Sequence, residues 1–147
     1  MKFKSTKIFD NFSVALRQWK AQHSHCQLLH GYALKFKVWF EADELDDMNW
    51  IVDFGSFKHN GLKDYMNEMF DHTLLIQFDD PYKDIFQGLE QMGLCKLHLL
   101  DQMGCESLAK MVYDKFNRTL SMQDAGRSRV VKVEVFENEK NSAIYEG

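Results

Sequence analysis

Between Tyr32 and Ala42 the segment YALKFKVWFEA sets Leu34, Phe36, Val38 and Phe40 at every second position, with Lys35, Lys37 and Trp39 between them. Successive side chains of a strand point to opposite faces, so this alternation marks a strand buried on one side and wet on the other. Such a strand needs hydrogen-bonded neighbours and a second layer over its apolar face, which rules out an all-helical chain. The segment VVKVEVFE repeats the pattern through Val131, Val133 and Val135, and NSAIYE reads as its short return. Residues 2–15 carry Phe3, Ile8, Phe12 and Val14 among polar neighbours, a strand with an irregularity between Phe3 and Ile8.

Helical spacing fills the middle of the chain. Asp53 is placed to cap a helix in which Phe54, Phe57, Leu62, Tyr65, Met66 and Met69 recur up to about Phe70, with Gly61 weakening it without breaking it. After the strand-like LLIQF, Asp80-Pro81 is a cap followed by a proline at the first helical position. Ile85, Leu89 and Met92 make a short helix that Gly93 ends. KLHLLD reads as a brief strand, and Leu108, Val112 and Phe116 mark a helix across residues 105–117. Hairpins at both ends with helices between them predict an α+β fold, an antiparallel four-stranded sheet with helices on one face. The free edges of such a sheet favour edge-to-edge joining of copies, so an oligomer is expected. Residues 79–100 stand out as an insertion.

A length of 147 residues suits a single domain, 1–147, and an apolar share of 45% suits a packed core. Eighteen Lys and Arg against 22 Asp and Glu give a net charge of −4, with no basic cluster of the kind a nucleic-acid groove requires. The opening MKFKSTKIFDNFSVAL breaks its apolar residues with charges, and no later segment has the length of a membrane span. The expectation is a soluble, cytoplasmic protein with neither nucleic acid nor membrane as partner. Three cysteines without a CxxC pair predict reduced thiols, and Cys95 and Cys105 read as packing residues.

The densest chemistry is HSHCQLLHGY, His23 through Tyr32. Cys26 is a candidate base or nucleophile, since a neighbouring imidazolium or metal favours the thiolate and His25 and His30 are close in sequence; the alternative is a small buried hydrophobe. His23 and His25 lie two apart, on one face if the segment is a strand, and His30 follows a short loop. They are candidate zinc ligands, because catalytic zinc takes three protein ligands and keeps an open position; the alternative is solvated loop histidines. Asp71-His72 is a second candidate, an aspartate orienting an imidazole for proton transfer, against a helix-terminal histidine held by the dipole. Glu106 at a helix start and Glu137 at a strand end carry no signal of their own.

Taken in order, FSVALR (12–17), CQLLHGY (26–32), WIVDFGSFK (50–58), FDHTLL (70–75), CESLAK (105–110) and VEVFENEKNSAIYEG at the end resemble the 6-pyruvoyl-tetrahydropterin synthase and 6-carboxytetrahydropterin synthase family. The resemblance covers nearly the whole chain. It implies the tunnelling fold, whose subunits join into a barrel as trimers stacked into hexamers, with a pterin held at a subunit interface. It implies that Cys26 abstracts side-chain protons, that Asp71 and His72 handle protons at the same site, that Glu137 grips the N–H groups of the pterin ring, and that Glu106 matches the glutamate of the helix-start motif. The gap between Cys26 and His30 resembles the carboxy-forming branch, which serves 7-deazaguanine (queuosine precursor) synthesis.

One departure falls on the metal. The family supplies three zinc histidines from FxAxHR and HGH, whereas this chain has Leu16 and Tyr32 at two of those positions and keeps His30. Rebuilding the site from His23, His25 and His30 is one repair; a metal-free site is the other. The resemblance implies a lyase that converts 7,8-dihydroneopterin triphosphate to 6-carboxytetrahydropterin, with zinc as cofactor if the rebuilt site forms. The rival expectation is a non-catalytic or metal-independent oligomer that binds a pterin or purine.

Overall fold

The computed structural model describes residues 2–147. Its strands are β1 (Phe3–Leu16), β2 (His30–Ala42), β3 (Thr73–Gln77), β4 (Leu97–Leu100), β5 (Ser128–Phe136) and β6 (Ser142–Glu146), and its helices are α1 (Leu62–Phe70), α2 (Lys83–Gln91) and α3 (Cys105–Asp124). The strands form one sheet in the order β4-β3-β1-β2-β5-β6. The four strands expected from alternation lie side by side and antiparallel, β1 running from Phe3 opposite Ala42 to Leu16 opposite His30. Alternation works as anticipated on β2, where Leu34, Phe36, Val38 and Phe40 are wholly buried.

The sheet has six strands rather than four, because LLIQF and KLHLLD both join it. β3 pairs parallel with the last three residues of β1, and β4 pairs parallel with β3. Every residue of β3 is buried. Leu75 faces the main core, while Leu74 and Ile76 face a second cluster that Phe86 of α2 closes. A strand covered on both faces reads as a continuous apolar run with no alternation to betray it. The same unit corrects the layering: α2 packs on the face opposite α1 and α3, so helices cover both sides of this end of the sheet.

Three local expectations shift. The irregularity of β1 lies between Phe9 and Phe12, where Asn11 adopts φ 66°, and so Phe9 enters the core while Ile8 is left 47% exposed. Asp53 does cap, its Oδ1 accepting from Gly55 N at 2.9 Å, but the turn it starts is a 3-10 helix, Phe54–Lys58. Gly61 at φ 88° then breaks the segment before α1 begins, a left-handed conformation open to glycine. α3 runs on past residue 117 to Asp124, since Leu120 extends the buried stripe of Leu108, Val112 and Phe116.

The core is aromatic. Phe36, Phe40, Phe57, Phe70 and Phe116 are fully buried between the sheet and the α1–α3 layer, with Phe36 and Phe70 centroids 4.6 Å apart and Phe9 meeting Phe116 edge-on at 5.5 Å. The ends of β1 and β3 are pinned together. Arg17 Nε lies 2.8 Å from the buried Asp80 Oδ2, and Gln18 Nε2 donates to Gln77 Oε1 (3.1 Å) and to Met103 O (2.9 Å). This brace fixes the loop from which α3 starts and the loop that carries Cys26. Among the described residues no helix is long and apolar enough to cross a membrane.

Candidate active site

The connection between β1 and β2 holds the first functional side chain. Gln18 N donates to Cys26 O at 2.8 Å, which ties the loop back onto the end of β1, and Ser24 Oγ accepts from Cys26 N at 3.1 Å to cap the short 3-10 turn His25–Gln27. Cys26 is exposed at the tip of this turn. Downstream, His30 begins β2 with Nδ1 2.6 Å from Leu28 O, so the carbonyl keeps a proton on Nδ1. Its ring meets Tyr32 edge-on with centroids 5.0 Å apart.

Glu137 follows β5 and is held in the turn to β6, its backbone N–H donating to Asn141 O at 3.1 Å. The carboxylate accepts a hydrogen bond from Cys105 Sγ at 3.4 Å, a contact across 32 residues of sequence. Cys105 is the first residue of α3 and is buried; burial, then the Glu137 carboxylate, push its thiol up to about 12. Cys105 therefore stays protonated and donates. Glu106, next on the helix, adds its own charge beside that thiol.

Tyr32 stands among these groups. Burial raises its phenol above the ordinary value, and the charges of Glu137, Cys26 and Cys105 raise it further. Cys105 and Glu137 are thus in contact, with Glu106 next to Cys105 on α3. A cavity of about 530 Å³ opens beside them, lined among others by Tyr32, Lys35, Phe136 and Glu137 and by Asn11 of the β1 irregularity. A volume of that order accommodates a bicyclic heterocycle.

Asp71 and His72 form their pair elsewhere. Asp71 Oδ1 accepts from Ser13 N at 3.2 Å and lies 3.1 Å from His72 Nδ1, while His72 N donates to Ser13 O at 2.6 Å with φ 56°. The Ser13 N–H, and after it His72, hold the Asp71 carboxyl below the usual carboxylate range. The imidazole is 82% exposed. Strands β1 and β2 lie between β3 and β5, so this pair is separated from Glu137 by about 14 Å of sheet at ordinary strand spacing. A single chain leaves it facing outward.

The zinc positions do not fit a zinc site. Leu16 is 7% exposed and lies opposite His30 on β1, so an alkyl group fills one of the three positions and the Tyr32 phenol a second. Among the described residues no three His, Cys, Asp or Glu side chains gather as a metal would require. The expected rebuilding from His23, His25 and His30 is absent from this arrangement: His23 and His25 are exposed on the loop, and His30 turns to Leu28 O and Tyr32.

Sequence reasoning takes Cys105 for a packing residue, which it is at 7% exposure in the core, and Tyr32 for a lost ligand; the contact of Cys105 with Glu137 and the cavity-lining place of Tyr32 escape it. The only signal was adjacency, since Cys105 precedes Glu106 in CESLAK and Tyr32 follows His30 in HGY.

Comparison with known proteins identifies the family and the fold. The family described as 6-pyruvoyl tetrahydropterin synthase matches residues 5–147. A 6-carboxy-5,6,7,8-tetrahydropterin synthase of Rickettsia felis is 34% identical over 75 residues, 51% of this chain and 52% of the relative. One from Rickettsia bellii is 35% identical over the same extent. The chain therefore spans about half the length of the curated relatives it matches. Among solved structures, an uncharacterised protein of Wolinella succinogenes superposes with a TM-score of 0.83 at 20% identity, covering 100% of this chain and 99% of that one. The 6-pyruvoyl tetrahydropterin synthase of Caenorhabditis elegans superposes with a TM-score of 0.66 at 17% identity, covering 100% and 96%. These likenesses show a shared fold.

Proposed function

The chain belongs to the 6-pyruvoyl tetrahydropterin synthase family, and from that premise we propose that it is a lyase of the 6-carboxytetrahydropterin synthase type. It takes 7,8-dihydroneopterin triphosphate and water to 6-carboxytetrahydropterin, acetaldehyde and triphosphate. No external redox agent is needed, because the double bond at C6 of the dihydropterin ring accepts the two hydrogens that its side chain gives up. Residues 1–147 act as one domain in a cytoplasmic homo-oligomer, a trimer or a hexamer of stacked trimers, within queuosine-precursor synthesis.

The observation that carries the reading is the Glu137 carboxylate, held by Cys105 in the wall of a cavity that Tyr32 also lines. Glu137 accepts hydrogen bonds from the ring N–H groups and fixes the heterocycle. Cys26, exposed at its turn, removes a side-chain proton. Asp71 holds the His72 imidazole as the partner acid or base, and a neighbouring copy of the chain supplies that pair to the site, since β1 and β2 lie between it and Glu137 in its own chain. Glu106 adds negative charge at the start of α3, where backbone N–H groups favour it. Incubation with 7,8-dihydroneopterin triphosphate, with and without added zinc, tests the reading through its products. Acetaldehyde and triphosphate are expected, and an unchanged substrate in both conditions overturns it.

A second reading is favoured by Leu16 and Tyr32 at the metal positions. On it the protein keeps the fold and the Glu137 anchor and binds a pterin or purine without turning it over. The same incubation separates the two, because this reading gives a bound ligand and no product.

A further inference from the structure

We propose that Cys105 and Tyr32 are positioning residues that lock the Glu137 carboxylate, without a metal, as the selector for a ring edge bearing a 2-amino group. The proposal rests on the reading that a pterin-like ring binds at Glu137, and it concerns what makes that residue selective.

A glutamate on a loop has three side-chain torsions to lose when a ligand arrives, and this ordering opposes binding. Here one oxygen, Oε1, already accepts from Cys105 Sγ. The thiol is a fixed point, because Cys105 is the first buried residue of α3 in a stripe that continues through Leu108, Ala109 and Val112 into the core. Being held up to about 12, it donates across the whole range in which the protein works and does not compete as a nucleophile. That role differs from the one assigned to the exposed Cys26. Tyr32 and Glu137 line the same cavity, and the Tyr32 ring is itself buttressed by His30 at 5.0 Å.

The Cys105 thiol is a neutral donor, and the Tyr32 phenol is a neutral group able to donate. None of the ion pairs among the described residues involves Glu137. Neutral donors orient a carboxylate and leave its charge unspent, whereas a lysine or arginine partner would neutralise it before the ligand came. An oriented and uncompensated carboxylate discriminates sharply between a ring edge that offers donors and one that presents an oxygen in their place, because the mismatch sets two acceptors against each other. The position that holds a metal histidine in the family's pattern has thus been turned to a different use, contributing to the anchor of the ring.

The test is a fluorescence titration of the purified protein with neopterin and with the lumazine carrying the same side chain, in which oxygen replaces the 2-amino group. Wild type is expected to prefer neopterin by at least about tenfold, the scale of a hydrogen bond to a charged group. Glu137→Gln removes the preference. Cys105→Ala and Tyr32→Phe each reduce it several-fold at unchanged melting temperature, and Cys105→Ser restores it because a hydroxyl also donates. A merely structural role would weaken both ligands alike and leave their ratio intact. Preference kept in Cys105→Ala and Tyr32→Phe overturns the proposal and leaves the pterin reading standing. Failure of wild type to bind neopterin overturns both. A zinc chelator leaves the preference unchanged; its loss on chelation overturns the metal-free arrangement.

Discussion

At the scale of single residues, Asp71 shows how a backbone donor sets the chemistry of a side chain. Its carboxyl is lowered first by the Ser13 N–H and then by His72, so the ionised form is favoured in the folded state. The sign follows: the stabilisation is present above the ordinary carboxyl value and is lost as pH falls through the lowered one. Asp71→Asn should remove this component, and acid titration followed by circular dichroism should show a shallower dependence below about pH 4. Cys26 carries a different prediction. Replacement by Ala or Ser should abolish turnover while leaving pterin affinity nearly unchanged, measured by product formation beside ligand titration; loss of affinity would reassign the thiol to binding. Both assignments come from the order of the family's motifs in the sequence. The Cys105–Glu137 contact was not, because it joins residues 32 apart through the seating of α3 on β5 and β6, and no local period encodes that.

At the scale of elements, what was legible was whatever has one wet face. β2 and the end of β5 declared themselves by alternation. β3, buried on both sides, did not, and its true place beside β1 changes a four-stranded antiparallel sheet into a mixed one. Within β5 itself the register shifts between Trp39 and Phe40 of its partner, so Val131 drops out of the buried row that Val130, Val133 and Val135 form. Two glycines test the local reasoning from opposite directions. Gly61 has φ 88° and open space where a methyl group would project, so strain alone decides: Gly61→Ala should destabilise by about 1 kcal/mol. Gly88 lies inside α2 with equally open surroundings and no left-handed backbone, and Gly88→Ala should stabilise by about 0.5–1 kcal/mol. Urea midpoints of the two variants against wild type measure both.

At the scale of the whole molecule, the arrangement divides the proposed machinery across one sheet. Glu137 follows β5, and Asp71 with His72 precedes β3 and faces outward past β1. If two copies complete each site, Cys26→Ala and His72→Ala are each inactive alone, but unfolding them together and refolding the mixture should restore about a quarter of the sites by random pairing in a symmetric oligomer. Activity assays on the mixture, beside analytical ultracentrifugation, check this, and no recovery would mean that both groups act from the same chain. The β3–α2–β4 unit that makes the sheet six-stranded has a further consequence. β3 covers β1 from Val14 onward and leaves its first half without a neighbour on that side among the described residues. A strand laid along that bare half by another molecule can slide in one direction until it strikes the beginning of β3. β3 acts as a doorstop that sets how far an incoming strand may travel.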